Sequence, residues 1–111
     1  MNIGVDIEEV KRFKKYVNNK KYLEHIFAKE EISYSFLKKN TAQHLAARFA
    51  AKEAVWKALS TKNKNLSITD ISVKNTKEGK PQVYVKNKKY KKIDVSLSHT
   101  EKYVAAVALV F

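Results

Sequence analysis

Hydrophobic residues alternate with polar residues or glycine at the start of the chain. From Ile3 to Ile7 every second residue is apolar, so residues 1–7 predict a strand with one buried face. Asp6 belongs to the opposite face of that strand. Glu8 then begins a short predicted helix, in which apolar residues recur at helical spacing and acidic residues occupy the first turn.

The middle of the chain has helical periodicity. A brief apolar segment covers residues 22–27, and residues 29–37 predict another short helix. The longest predicted helix covers residues 45–59, LAARFAAKEAVWKAL, which is rich in alanine and contains neither glycine nor proline. Asn40 or Thr41 is available as its N-cap.

From Leu66 onward the periodicity changes to two, as in strands. The predicted strands are centred on Ile71 and Val73, on Val83 and Val85, on Val95 and Leu97, and on residues 103–111. The last of these is apolar on both faces, which predicts a central strand or a subunit interface. We therefore expect a single α+β domain over residues 1–111, with one long helix packed on a mainly antiparallel sheet that the N-terminal strand joins.

Length and composition limit the kind of protein this is. A chain of 111 residues can form a modest core but is too short to enclose a deep pocket, so a neighbouring subunit would complete a large site. The absence of cysteine excludes disulfides, thiolate zinc sites and cysteine nucleophiles. No apolar run approaches the roughly 20 residues of a membrane span and no signal peptide pattern is present. These features predict a cytoplasmic protein.

The charge of the chain points to an anionic partner. Lysine and arginine number 23 against 11 acidic residues, which gives a net charge of +12. Nucleic acid, a phosphorylated cofactor and an acidic protein all satisfy that charge. Two lysine-rich stretches, residues 62–65 and 86–92, are typical of solvated loops.

Three polar groups stand in largely apolar surroundings and are candidates for chemistry. They are Asp6, Glu53 and the pair Ser98-His99. Each has a structural alternative: Asp6 would cap the next helix, Glu53 would form a surface ion pair with Lys57 four residues later, and His99 would occupy a polar turn. If the two carboxylates meet, they form an all-oxygen site that suits magnesium rather than zinc.

Basic residues would complete such a site. Magnesium usually keeps several waters and binds phosphate oxygens alongside one or two carboxylates. Arg48, Lys52 and Lys57, together with His99, would then hold a polyphosphate near the ion. The competing class is a small nucleic-acid-binding protein that uses the lysine loops and three tyrosines, Tyr84, Tyr90 and Tyr103. That class accounts for the charge but leaves the two acids unexplained.

Three motifs in order along the chain resemble one family. The motifs are Gly4-Val5-Asp6-Ile7 followed by Arg12, Arg48-Phe49-Ala50-Ala51-Lys52-Glu53-Ala54 followed by Lys57, and Ser96-Leu97-Ser98-His99 followed by Tyr103. Together they resemble the holo-acyl-carrier-protein synthases of the 4′-phosphopantetheinyl transferase superfamily, over essentially the whole chain. Gly79-Lys80-Pro81 is similar to the family's GxP turn before a strand.

This resemblance implies an enzyme with a defined reaction. The 4′-phosphopantetheine arm of coenzyme A would be transferred to a serine of apo acyl carrier protein, with magnesium required, adenosine 3′,5′-bisphosphate released and fatty acid biosynthesis supported. Asp6, Glu53 and Lys57 are the implied catalytic residues. The two acids would bind the metal, and Lys57 would contact phosphate and assist the leaving group. The serine proton would pass to Glu53 or to a metal-bound water, of which the water is the better base.

The resemblance also implies substrate contacts and an assembly. Arg12 would contact the acidic carrier protein, while Ser98 and His99 would line the coenzyme A site and Arg48 would lie beside it. The family's homotrimer, with sites at subunit boundaries, is expected; membrane and nucleic acid are not expected as partners.

Two positions depart from the family pattern. Ser60-Thr61-Lys62-Asn63 replaces a glycine-bearing turn after the central helix, and Ala28 replaces a helix-capping Ser or Thr. Neither departure alters the implied catalytic residues, so an active enzyme is expected.

Overall fold

Helices follow an N-terminal strand in the first half of the protein, and strands occupy the second half. The computed structural model describes residues 1–111. Its elements are β1 (Asn2–Glu9), α1 (Val10–Lys14), α2 (Lys20–Ile26), α3 (Lys29–Phe36), α4 (Thr41–Leu59), a 3₁₀ turn (Ile68–Asp70), β2 (Ile71–Asn75), β3 (Pro81–Val85), β4 (Lys88–Lys89), β5 (Ile93–His99) and β6 (Tyr103–Val110). None of the helices combines the length and the hydropathy needed to cross a bilayer.

The strands form two antiparallel sheets, where the sequence predicted one. The first sheet has the order β1-β6-β5 and the second has the order β2-β3-β4. The α+β class and the antiparallel pairing are confirmed, and the C-terminal strand β6 is central in its sheet. Asn40 stands at the N-cap of α4, as expected.

The predicted orientation of β1 is wrong. Ile3, Val5 and Ile7 are 69%, 63% and 65% exposed, whereas Gly4 is buried and Asp6 is half-buried. Gly4 and Asp6 pair with the buried alanines of β6, so this small-residue face is the one that packs on α4. The larger apolar side chains are left on what we call the outer sheet face, which consists of Ile3, Val5, Ile7, Glu9, Asp94, Ser96, Ser98, Tyr103, Ala105, Val107 and Leu109.

β1 also continues further than predicted. Glu8 and Glu9 pair with Val104 and Tyr103, so the first helix begins at Val10 instead of Glu8. Glu9 occupies the N-cap position of α1, and Asp6 does not cap that helix. Because strand side chains alternate, Glu8 lies on the same face of β1 as Asp6.

Gly4 allows β1 and α4 to pack closely. A Cβ atom at Gly4 would overlap the carbonyl oxygen of Ala54 and would lie 2.9 Å from the backbone nitrogen of Ala58. Both alanines are fully buried, and α4 contributes eleven buried residues to the molecule. Small residues on both elements therefore bring the helix backbone against the strand.

A buried ion pair fixes the other side of α4. Lys52 and Glu31 are each 1% exposed, and Lys52 Nζ lies 3.0 Å from Glu31 Oε1 and donates to the carbonyl of Ile26 at 2.6 Å. Glu31 also accepts hydrogen bonds from the backbone N–H groups of Ala28 at 2.7 Å and Val73 at 2.8 Å. The contact with Ala28 gives α3 a capping interaction although alanine has no side-chain acceptor. The pair thereby joins α3, α4 and β2.

We expect Gly4→Ala to destabilise the protein. Overpacking against a rigid helix backbone costs about 1–3 kcal/mol, because the strand or the helix must shift to make room. Chemical denaturation followed by circular dichroism measures this loss. Lys77→Ala, in the exposed turn before β3, is the control and should stay within about 0.5 kcal/mol of the wild type. An unchanged midpoint for Gly4→Ala would contradict the close packing of β1 on α4.

Candidate active site

Asp6 and Lys57 meet where β1 crosses α4. Lys57 Nζ lies 3.3 Å from Asp6 Oδ1 and donates to the carbonyl oxygen of Val5 at 3.0 Å. The Asp6 side chain is 11% exposed, whereas the Lys57 side chain is 46% exposed. The pair thus joins a shielded carboxylate to an ammonium group that remains open to solvent.

Glu53 lies one helical turn before Lys57 and shares the environment of Asp6. Burial is the main cause that raises the pKa of Glu53, and the negative charge of Asp6 raises it further. Glu53 forms no ion pair with Lys57, so the predicted alternative of a surface pair along the helix is wrong. Lys57 instead reaches the carboxylate of the neighbouring strand.

Glu8 brings a third carboxylate to the same place. Burial raises the pKa of Glu8 to about 7, and the nearby negative charge of Asp6 contributes to this increase. Sequence reasoning missed Glu8 because it assigned this residue to a helix. Residues two apart in a strand lie on the same face, so the spacing of Glu8 from Asp6 would have indicated Glu8 once the strand was known to continue.

The carboxylates suit a divalent cation. Asp6 Oδ2 is buried and has no hydrogen-bond partner, so this carboxylate oxygen receives no hydrogen bond from the protein. No group of three or more His, Asp or Glu side chains is arranged to hold a metal ion, so the protein would supply at most two such ligands. An oxygen-only site with few protein ligands is the kind that magnesium occupies while it retains waters and phosphate oxygens.

Arg12 is attached to this cluster through Glu8. Its Nη1 atom lies 2.7 Å from Glu8 Oε1, and its guanidinium carbon lies 5.4 Å and 5.2 Å from the ring centres of Phe13 and Phe49. The side chain is nevertheless 45% exposed. Arg12 is therefore held in place by a carboxylate and two rings while its outer surface stays accessible.

Arg48 and Lys52 do not face the carboxylate cluster. Arg48 is 4% exposed, and its Nη1 donates to the carbonyl of Val73 and to Asn75 Oδ1, both at 3.2 Å. Burial lowers the pKa of Arg48, and its Nε atom has no partner. The expectation that Lys52 holds phosphate is wrong, because its ammonium group is enclosed in the ion pair with Glu31.

Ser98 and His99 lie at the end of β5, beside the first turn of α4 and across β6 from the carboxylates of β1. Ser98 belongs to the outer sheet face, and His99 Nδ1 lies 2.9 Å from Gln43 Nε2 in the first turn of α4. His99 and Glu8 both pair with Val104, from opposite sides, so two strand spacings, about 10 Å, separate their backbones. A cavity of about 820 Å³ is lined by His99 and the start of α4 and does not include Asp6, Glu8 or Glu53. Within one chain, the predicted site residues therefore form two separate groups.

Comparison with known proteins identifies relatives over nearly the full chain. The family model described as the 4′-phosphopantetheinyl transferase superfamily matches residues 2–108. A holo-[acyl-carrier-protein] synthase of Thermodesulfovibrio yellowstonii is 44% identical, across 97% of this chain and 96% of the relative. One of Treponema denticola is 40% identical, across 99% of this chain and 97% of the relative.

Solved structures of the same kind share the fold. The holo-(acyl-carrier-protein) synthase of Bacillus anthracis, solved in complex with CoA (3′,5′-ADP), is 32% identical with a TM-score of 0.80 and covers 98% of this chain and 94% of its own. The Helicobacter pylori synthase, in complex with coenzyme A, is 28% identical with a TM-score of 0.80 and covers 98% and 99%. The resemblance drawn from three motifs is confirmed, and the chain belongs to the 4′-phosphopantetheinyl transferase superfamily, among the holo-[acyl-carrier-protein] synthases.

Proposed function

We propose that this protein transfers the 4′-phosphopantetheine group from coenzyme A to a serine of apo acyl carrier protein. Adenosine 3′,5′-bisphosphate is released, and the product serves fatty acid biosynthesis in the cytoplasm. The observation that carries the proposal is the convergence of Asp6, Glu53 and Lys57 in a chain similar to such synthases along its length. The whole chain would act as one transferase domain.

The reaction is a phosphoryl transfer that needs alignment and charge neutralisation. The serine oxygen forms a bond to the β-phosphorus of coenzyme A, and the bond from that phosphorus to the oxygen leading to the α-phosphorus breaks. The bisphosphate leaves with that bonding pair. Glu53 and water are the two acceptors for the serine proton.

Lys57 is suited to the leaving group. An ammonium group has three donors, and the contacts with Val5 and Asp6 use two of them. The third is free on a side chain that is 46% exposed, so it can donate to a phosphate oxygen. The contact with Asp6 holds the ammonium group at the site before substrate arrives.

Asp6 and Glu53 are the residues that would hold Mg²⁺. The unpartnered oxygen of Asp6 and the unpaired carboxylate of Glu53 supply hard oxygen donors. When bound, the ion would neutralise charge on the diphosphate. The same acids argue against the alternative of a nucleic-acid-binding protein, because they would repel phosphate. The tyrosines of that alternative also lie in different sheets, with Tyr84 in β3 and Tyr103 in β6.

We further propose the homotrimer implied by the family resemblance, with each site at a subunit boundary. The outer sheet face exposes Ile3, Val5 and Ile7 by more than three-fifths each, which is unusual for a contiguous apolar surface on a monomer. Ser98 lies on that face, and His99 follows it. Docking through that face would therefore place the Ser98-His99 end of β5 at the subunit boundary.

We expect Glu53→Gln to abolish transfer while the fold is retained, because the amide supplies no charge to a cation. Wild-type protein, coenzyme A, Mg²⁺ and apo acyl carrier protein should yield a carrier heavier by one phosphopantetheine group in the mass spectrum. The matched control is Glu78→Gln in the exposed turn before β3, which should retain wild-type turnover. An unchanged carrier mass with the wild type would remove the proposed reaction, and full turnover by Glu53→Gln would remove its metal assignment.

Arg12→Ala should weaken binding of the acidic carrier protein about tenfold, the value of one charge-assisted hydrogen bond. Coenzyme A affinity should stay near the wild-type value, since Arg12 contacts Glu8 and two phenylalanine rings. Calorimetric titration with each substrate measures the two affinities. Lys11→Ala, on the same short helix, controls for the loss of one positive charge. Equal losses for both substrates would contradict the assignment of Arg12.

Ile3→Asp should dissociate the assembly, because it places a charge in the centre of an apolar contact. Light scattering during size-exclusion chromatography should give three times the chain mass for the wild type and one chain mass for the variant. Leu37→Asp is the control, since Leu37 is 83% exposed and lies after α3, apart from the outer sheet face. A wild-type protein that elutes as a monomer would refute the trimer.

A further inference from the structure

The His99 ring is held by a single side-chain contact, made at one of its two ring nitrogens. It ends β5, and its Nδ1 atom lies 2.9 Å from Nε2 of Gln43, the third residue of α4. Gln43 Nε2 also lies 3.4 Å from the carbonyl oxygen of Thr100 and donates to it. His99 Nε2 makes no hydrogen bond within the protein, and the residue is exposed.

These contacts determine which way the Gln43 amide points. A backbone carbonyl can only accept a hydrogen bond, so the atom of Gln43 that faces Thr100 must be the amide nitrogen. The same nitrogen faces His99 Nδ1 and carries two hydrogens, which allows it to donate to both acceptors. His99 Nδ1 must then accept, and the ring proton belongs on Nε2.

The resulting tautomer gives the cavity a hydrogen-bond donor. His99 lines the cavity of about 820 Å³ together with two lysines, Lys14 and Lys39, and one acid, Glu101. A neutral ring whose Nε2–H is free can donate to an acceptor oxygen without adding a third positive charge beside the lysines. Phosphate oxygens are the acceptors that such a basic cavity would attract.

We propose that Gln43 is a positioning residue for the donor substrate: its amide nitrogen holds His99 as the Nε2–H tautomer, so that the ring donates a hydrogen bond to a phosphate oxygen of coenzyme A. The identity of the ligand rests on the proposed function. The tautomer rests only on the contacts of Gln43 with His99 and Thr100.

The tautomer is tested first, in the absence of substrate. Long-range ¹H–¹⁵N correlation spectra of the full chain, labelled in its three histidines, distinguish the two neutral forms of each ring. His99→Asn assigns the signal of His99. We expect the Nε2–H pattern in the wild type, and a proton on Nδ1 in Gln43→Glu, because a carboxylate can only accept. An Nδ1–H pattern in the wild type would overturn the proposal whether or not the protein transfers phosphopantetheine.

The substrate contact is tested second, by kinetics. Gln43→Ala should raise the KM for coenzyme A about five- to tenfold with little change in kcat, since His99 is no longer held as the tautomer that donates to the substrate. Gln43→Ala in a His99→Ala background should cause no further loss, because Gln43 acts through His99. Gln82→Ala, which alters the other glutamine of the chain, should have the wild-type KM. Losses that add in the double variant would refute the positioning role.

Discussion

The contact between Gly4 and α4 is the constraint on which the candidate site depends. No side chain separates β1 from the backbone of Ala54 and Ala58, so the strand lies directly on the helix. Asp6 follows two residues later on the same face and therefore points at the helix surface that carries Lys57. The carboxylate and the ammonium group thus meet because small residues let the two backbones approach closely. The attraction between the two charges stabilises that arrangement but does not create it.

The opposite side of α4 is fixed by charge instead of by small residues. Lys52 and Glu31 are buried, and removing one member of such a pair typically costs about 3–5 kcal/mol because the other charge remains in the interior. Lys52 and Glu53 are consecutive, so they point about 100° apart around the helix. One therefore anchors the helix to α3 and β2 while the next faces the carboxylate cluster. This division explains why two adjacent charged residues serve such different purposes.

The sequence predicted the order of elements and the acids of the site better than it predicted which faces are buried. Alternation from Ile3 to Ile7 identifies two faces of a strand, and hydrophobicity selected the wrong one as the buried face. The buried face is decided by how closely α4 approaches, which periodicity does not encode. A second error, in where the strand ends, placed Glu8 in a helix and concealed its proximity to Asp6. Lys52 was misassigned because its partner Glu31 lies in another helix, 21 residues earlier.

The apolar outer sheet face and the division of the site between β1 and β5 have one proposed explanation in common. The first leaves Ile3, Val5 and Ile7 exposed to water, and the second places Asp6 and His99 on the two outer strands of one sheet without a direct contact. Docking copies of the chain through that face would bury the apolar residues and also bring the histidine end of one subunit towards the carboxylate end of another. A monomer would need a separate reason for each feature. The proposed homotrimer would account for both, and it would make the conformation of His99 in one subunit relevant to the chemistry of its neighbour.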